Sequence, residues 1–214
     1  MSAERQGAGT VKRHSLGVRL AHAIAAVSFI LLALSGLALL FPSFFFLTAL
    51  FGGGEMTRFL HPWIGLALVL SYLVLFVRFV GSCGFGRDDV IWMLRARDAM
   101  WSGREENLPE VGRFNAGQKM YIWGMALLFI VLLVSGVIIW QAYFGTLTTI
   151  DAKRLAVLAH SIVAVLAILG FFFHLHMVTW ETGTLRAMVI GTVTPGWAWK
   201  HHRKWLRELV AGKS

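Results

Sequence analysis

A chain of 214 residues is long enough for one or two soluble domains, yet 57% of it is hydrophobic and 14% charged, where soluble domains are about a quarter charged. That balance excludes a soluble globular enzyme and points to lipid. The net charge of +9 invites a nucleic-acid partner, which the placement of the charges argues against.

Residues 1–12 are polar and expected to be mobile. The first apolar stretch, at 20–41, is expected to be a retained span: it is long, lacks a small-residue cleavage site and stops at Phe41-Pro42. Further apolar stretches follow at 59–80, 120–140 and 155–180. Crossing about 30 Å of hydrocarbon takes roughly 20 residues at about 1.5 Å rise, so each is long enough. Unbroken apolar runs without period-2 alternation choose helices over barrel strands. The expected fold is an all-α integral membrane protein, a four-transmembrane-helix bundle forming one domain over 1–214.

The connections differ in size. Loops are expected at 42–58, with Gly52-Gly53-Gly54, and at 141–154. The segment 81–119 is longer, and Asp89–Trp101 mixes Trp92, Leu94 and Trp101 with Arg95, Arg97 and Asp98, the pattern of an interfacial helix. From Gly183 the tail alternates apolar and basic residues, which suits a membrane surface or a docking partner.

Lys and Arg fall almost entirely on one side of this plan. Four precede the first span (Arg5, Lys12, Arg13, Arg19), and six lie between the second and third (Arg87, Arg95, Arg97, Arg104, Arg113, Lys119). Six more follow the fourth, whereas the other two connections hold Arg58, Lys153 and Arg154. The positive-inside rule then places both termini and the 81–119 segment in the cytoplasm. The basic excess is topology, not nucleic-acid binding. The single cysteine, Cys83, rules out an internal disulfide and a Cys-ligated iron–sulfur cluster built from this chain alone.

Histidines carry the chemistry. His22 lies near the inner end of span one, His61 near the outer end of span two, and His160 and His174 near the two ends of span four. At about 100° per residue, fourteen residues turn a helix to within about 40° of four full turns, so His160 and His174 share a face about 21 Å apart along the axis. His176 faces away, and a structural duty is expected of it. His14, His201 and His202 flank the spans, where interfacial or solvated roles are the default. His61 is level with His160, and His22 with His174.

Two such pairs suit bis-imidazole ligation of two b haems, an arrangement for electron transfer. A zinc site would want three or four clustered ligands, and no acidic residue lies inside the four spans to form a proton relay. A lone intramembrane histidine is more often an inter-helix hydrogen-bonder, so the argument rests on four at two matched depths. Gly36, fourteen residues after His22, lies at the depth of the outer pair, where a macrocycle would pack closely. Spans one and three echo each other in Ser35-Gly36 and Ser135-Gly136, read as small-residue helix packing. Arg58, Lys153 and Arg154 outside, and Arg19, Arg78 and Lys119 inside, are candidates for haem propionates, with snorkelling or topology the default for any one of them.

Several motifs carry a family resemblance: VGRFNAGQKMYIWG (Val111–Gly124), RFLHPWIG (Arg58–Gly65), VSGVIIW (Val134–Trp140), GTVTPGWAWKHHRKW (Gly191–Trp205) and RLAH (Arg19–His22). With them, residues 12–207 resemble the cytochrome b (gamma) subunit of membrane-bound respiratory formate dehydrogenase. The resemblance implies a bacterial inner-membrane subunit, its inner haem held by His22 and His174 and its outer haem by His61 and His160. It further implies a quinone site, for menaquinone or ubiquinone, at Asn115 and Gly117 with His174 nearby. The implied partners are an iron–sulfur beta subunit, a molybdenum- or tungsten-containing alpha subunit, the quinone pool and membrane lipid. The FNAGQK stretch also reads as a helix start with Asn115 as its cap. A cytochrome b subunit of a nickel–iron hydrogenase or thiosulfate reductase, or a haem-free anchor or transporter, stays open at this point.

Overall fold

A computed structural model describes residues 9–102 and 108–212, with the backbone alone for 98–102. Residues 1–8, the side chains of Asp98 and Trp101, and Arg104 lie outside the described part. The chain opens with strand β1 (Val11–Lys12) and helix α1 (Leu16–Leu40). A 3-10 helix at Pro42–Phe51 leads to α2 (Gly54–Phe79), and a 3-10 turn at Val80–Ser82 to α3 (Arg87–Ser102). Then come α4 (Ala116–Ile139), α5 (Gln141–Phe144), α6 (Ile150–Trp180) and α7 (Thr184–Val189). Strand β2 (Thr192–Val193) and helices α8 (Pro195–His201) and α9 (Arg203–Val210) complete the order.

Four of these helices, α1, α2, α4 and α6, are long and apolar enough to cross a membrane. Their packing is that of a membrane protein. Along α1 the buried stripe is mostly small or polar (Ala21, Ala25, Ser28, Ser35, Ala38), while Leu20, Ile24, Val27 and Ile30 are exposed. Small residues let backbones approach, and large apolar ones face lipid, where nothing drives them inward. The protein is a multi-pass, all-α membrane protein.

Contacts divide the chain into two compact units. One consists of Leu20–Phe76 and Gly124–His176. Inside it, one aromatic ring from each long helix meets at mid-height. Phe29 stacks on Phe171 at 5.0 Å and lies 6.2 Å from Phe129, which Tyr72 meets edge-on at 4.8 Å. At one end Trp63, Trp140 and Tyr143 form a cluster of edge-to-face contacts at 5.0–6.1 Å, the amphipathic rings expected at a membrane surface.

The other unit comprises the described residues of Met1–Arg19 with Val77–Trp123 and the described residues of Met177–Ser214. Here the structure corrects several expectations. Val11 and Lys12, expected to be mobile, pair antiparallel with Val193 and Thr192. The tail, expected on a membrane or a partner, folds onto its own chain: Ala187, Val193, Ala198 and Trp205 form a core that Val11, Trp197, Leu206 and Leu209 cover. Gly191, at φ +89°, accepts from the Arg13 and His14 amides, and a Cβ there would stand 2.9 Å from the His14 carbonyl. Thr194 caps α8 by accepting from the Trp197 amide at 3.2 Å, with Pro195 in the first turn.

Arg13 ties this unit together. It is 6% exposed, with its guanidinium 4.3 Å from the centre of a Trp205 ring and within 6 Å of Phe114 and Trp197. It donates to the Arg113 carbonyl. Burial, with help from the Arg113 charge, lowers its pKa to about 9. His14 and His202, for which interfacial or solvated roles were the default, are buried, at 8% and 1% exposure. His202 Nδ1 lies 2.8 Å from the Gly112 carbonyl, which can only accept, so Nδ1 carries the proton and Nε2 faces Arg13 at 3.4 Å. Burial, then the charge of Arg13, pushes its pKa down to about 3. Where a loop was expected at 42–58, the Pro42–Phe51 helix stands, and Gly52 and Gly53 turn the chain at φ +87° and +100°.

Candidate functional site

Helix α6 carries two of the four histidines singled out by spacing, and α1 and α2 carry one each. His22 and His174 face one another with ring centroids 6.3 Å apart and planes at 51°. His61 and His160 do the same at 6.3 Å and 62°. All four are half-buried, and the fourteen residues from His160 to His174 separate the two levels by about 21 Å. The structure brings together both pairs named from the sequence. His176 is exposed and belongs to neither.

The separation permits a test of fit for a planar metal macrocycle. An imidazole–metal bond of about 2 Å, with the ring centre about 1.1 Å behind the nitrogen, puts two trans imidazole centres about 6.2 Å apart. Both pairs stand at that distance. Neither is a multidentate metal centre: among the described residues there is no group of three or more His, Cys, Asp or Glu that could hold a metal ion.

The His61/His160 level is built by a repeated device. A Cβ on Gly36 would lie 3.5 Å from His61 Cε1, and one on Gly136 would lie 3.4 Å from His160 Cε1. Each glycine follows a buried serine: Ser35 Oγ is 2.7 Å from His61 Nδ1, and Ser135 Oγ is 2.9 Å from His160 Nδ1. The serines went unrecognised as site residues in the sequence because Ser-Gly in an apolar helix reads as packing. The signal that pointed to them was the echo between the two helices.

In the second unit the start of α4 faces a cavity of about 600 Å³. Asn115, Lys119, Asp89, Trp92 and Arg113 are among its walls. Asn115 caps the helix through a reciprocal pair of bonds: Oδ1 accepts from the Gln118 amide at 2.8 Å, and the Asn115 amide donates to Gln118 Oε1 at 3.0 Å. Gly117 sits behind that wall, where a Cβ would lie 3.5 Å from both Asn115 Oδ1 and the Trp92 ring. Lys119 donates to both oxygens of Asp89 at 2.8 Å and to the Gly84 carbonyl at 2.9 Å. Burial and the Arg78 charge lower the Arg113 pKa.

Three residues considered for propionates are engaged elsewhere. Lys119 is held by Asp89, and Arg19 donates to the Met188 and Val189 carbonyls at the end of α7. Lys153 donates to the Gly145 carbonyl at 2.6 Å.

Comparison with known proteins bears on this site. The prokaryotic cytochrome b561 family matches residues 13–191. The cytochrome b556(fdo) subunit of formate dehydrogenase from Escherichia coli (strain K12) is 39% identical over 200 residues, covering 94% of this chain and 93% of that protein. The nitrate-inducible formate dehydrogenase cytochrome b556(Fdn) subunit of the same strain is 37% identical over 191 residues, 89% and 88% of the two chains. The formate dehydrogenase cytochrome b556 subunit of Haemophilus influenzae is 32% identical over 201 residues, 94% and 84%. With its four apolar helices and paired histidines, the chain belongs to the prokaryotic cytochrome b561 family.

Proposed function

We propose that this chain is the membrane electron-transfer subunit of a respiratory formate dehydrogenase, holding two b haems and reducing quinone on the cytoplasmic side. The observation that carries the reading is the pair of imidazole centroid separations, both 6.3 Å, with His160 and His174 on one helix face. His22 and His174 would hold the inner haem, and His61 and His160 the outer one. Haem held there would supply one-electron carriage, which suits electron transfer.

The chain's own residues do the rest. Gly36 and Gly136 leave room beside the His61 and His160 rings. At the α4 cavity, Asn115 spends its carbonyl oxygen on the helix cap and keeps its amide N–H groups for a quinone carbonyl. Lys119 and Asp89, on the same wall, offer an exchangeable proton where a reduced quinone needs one. The His174 expected near this site is part of the other unit, in the pair with His22.

Formate as the ultimate donor follows from the relatives, whose names are those of formate dehydrogenase subunits. An iron–sulfur subunit and a molybdenum- or tungsten-containing catalytic subunit are then its partners. The test is to purify the chain with its natural partners and add formate. Reduction of b-type absorbance followed by quinol formation is expected. Reduction by hydrogen or a sulfur donor and not by formate would assign it to another complex.

A further inference from the structure

Ser35 and Ser135 each have one hydroxyl proton and three neighbours within hydrogen-bond distance, two carbonyls of their own helix and one imidazole nitrogen. Ser35 Oγ lies 2.8 Å from the Leu31 carbonyl and 2.7 Å from His61 Nδ1. Ser135 Oγ lies 2.6 Å from the Val131 carbonyl and 2.9 Å from His160 Nδ1. A serine hydroxyl donates once and accepts through its lone pairs, whereas a carbonyl oxygen never donates. If the hydroxyl proton went to the imidazole, two oxygens would face each other at hydrogen-bond distance with no proton between them. The proton therefore goes to the helix carbonyl four residues back, a known serine habit. The imidazole must then be the donor, with its hydrogen on Nδ1 and its lone pair on Nε2.

Both serines are buried, at 0% and 4% exposure, so water does not compete. The device occurs twice, from α1 onto α2 and from α4 onto α6, and each time the next residue is the glycine against the same ring. Repetition on two helix pairs separates it from chance packing of a small polar residue.

We infer that Ser35 and Ser135 are positioning residues that lock His61 and His160 as Nδ1–H tautomers and hold the metal group between them at a lower reduction potential. An Nδ1–H given to an acceptor makes the opposite nitrogen a stronger donor, which favours the oxidised metal. The inference rests on the haem-ligand reading of the preceding subsection. Ser35 is thirteen residues from His22, about 20 Å along α1, so the effect is confined to the His61/His160 level.

The test is potentiometric titration of b-type absorbance in the purified complex carrying Ser35→Ala, Ser135→Ala or both. In the double variant the reduced-to-oxidised ratio of one component at fixed ambient potential should rise about tenfold, about 59 mV for one electron, with the other component unmoved. Ser→Thr variants, which keep the hydroxyl, should titrate like the wild type. Cysteine keeps the volume and accepts poorly, so Ser→Cys reports the same upward shift should the alanine variants fail to accumulate. Two intact components with unchanged potentials, or equal shifts in both, overturn the inference and leave the ligand assignment standing. Absence of b-type absorbance in the wild type removes the ligand assignment and this inference together.

Discussion

Asn115 does two jobs that one substitution separates. Aspartate caps a helix as well as asparagine, so Asn115→Asp should keep α4 intact while replacing amide donors with a carboxylate that repels a quinone carbonyl. Quinol formation should fall by about tenfold or more, with formate still reducing the b-type absorbance; unimpaired turnover would count against the cavity as the quinone site. His202 allows a pH prediction with a definite sign. Its pKa is about 3 in place and 6.5 ordinarily. As pH falls below about 6.5 the undocked tail takes the proton first, so docking is at full strength above that pH and weakens on the way down to about 3. Opening of residues 195–210, read by hydrogen exchange, should grow by nearly tenfold per pH unit between about pH 5.5 and 4. His202→Gln should flatten that slope, and a wild-type tail indifferent to pH would refute the buried neutral imidazole. At this scale the sequence was uneven. His160 and His174 were legible because a fourteen-residue interval is close to four helical turns, and His22 and His61 because they lie level with them in other spans. His202 was not, because a histidine among Lys200, Arg203 and Lys204 looks solvated until Trp197 and Trp205 are seen around it.

Helices were the most legible elements, since lipid leaves an apolar run little choice of structure. Their ends were less so: α2 begins at Gly54 and α6 at Ile150, before the apolar runs do, because Glu55 and Asp151 are tolerated, and favoured, in a first turn. The tail was the element misjudged. Its alternation of apolar and basic residues satisfies a membrane surface and an internal core equally, and what chooses the core is β1, a two-residue strand with no sequence signature. Arg13 follows that strand, so Arg13→Met should loosen the tail. Losing its stacking on Trp205 and its bond to the Arg113 carbonyl should cost about 2 kcal/mol, seen as lower protection of residues 184–212 from protease. Unchanged protection would mean the Val11–Val193 pairing suffices alone.

For the whole molecule, the charge asymmetry predicts that both termini lie on the cytoplasmic side. A thiol-reactive probe on an introduced cysteine at Lys153 should then label from the outside, and one at Lys200 only from the inside; the opposite pattern would reverse the direction of electron flow. With that orientation, each electron moved inward against a negative-inside potential would require about 2.3 kcal/mol per 100 mV, work that the proposed formate oxidation would have to supply. What the sequence conveyed at this scale was the membrane class and the two histidine levels. What it withheld was the serine–glycine support under one level, which needs coordinates because it joins residues 25 and 26 positions apart across helices. The central claim is that each histidine pair holds its own haem. Counting haem per polypeptide in the purified wild type, His160→Ala and His174→Ala tests it directly. The account predicts two in the wild type, and one in each variant, with a different spectral component lost from each. One haem in the wild type, or loss of the same component from both variants, would contradict it.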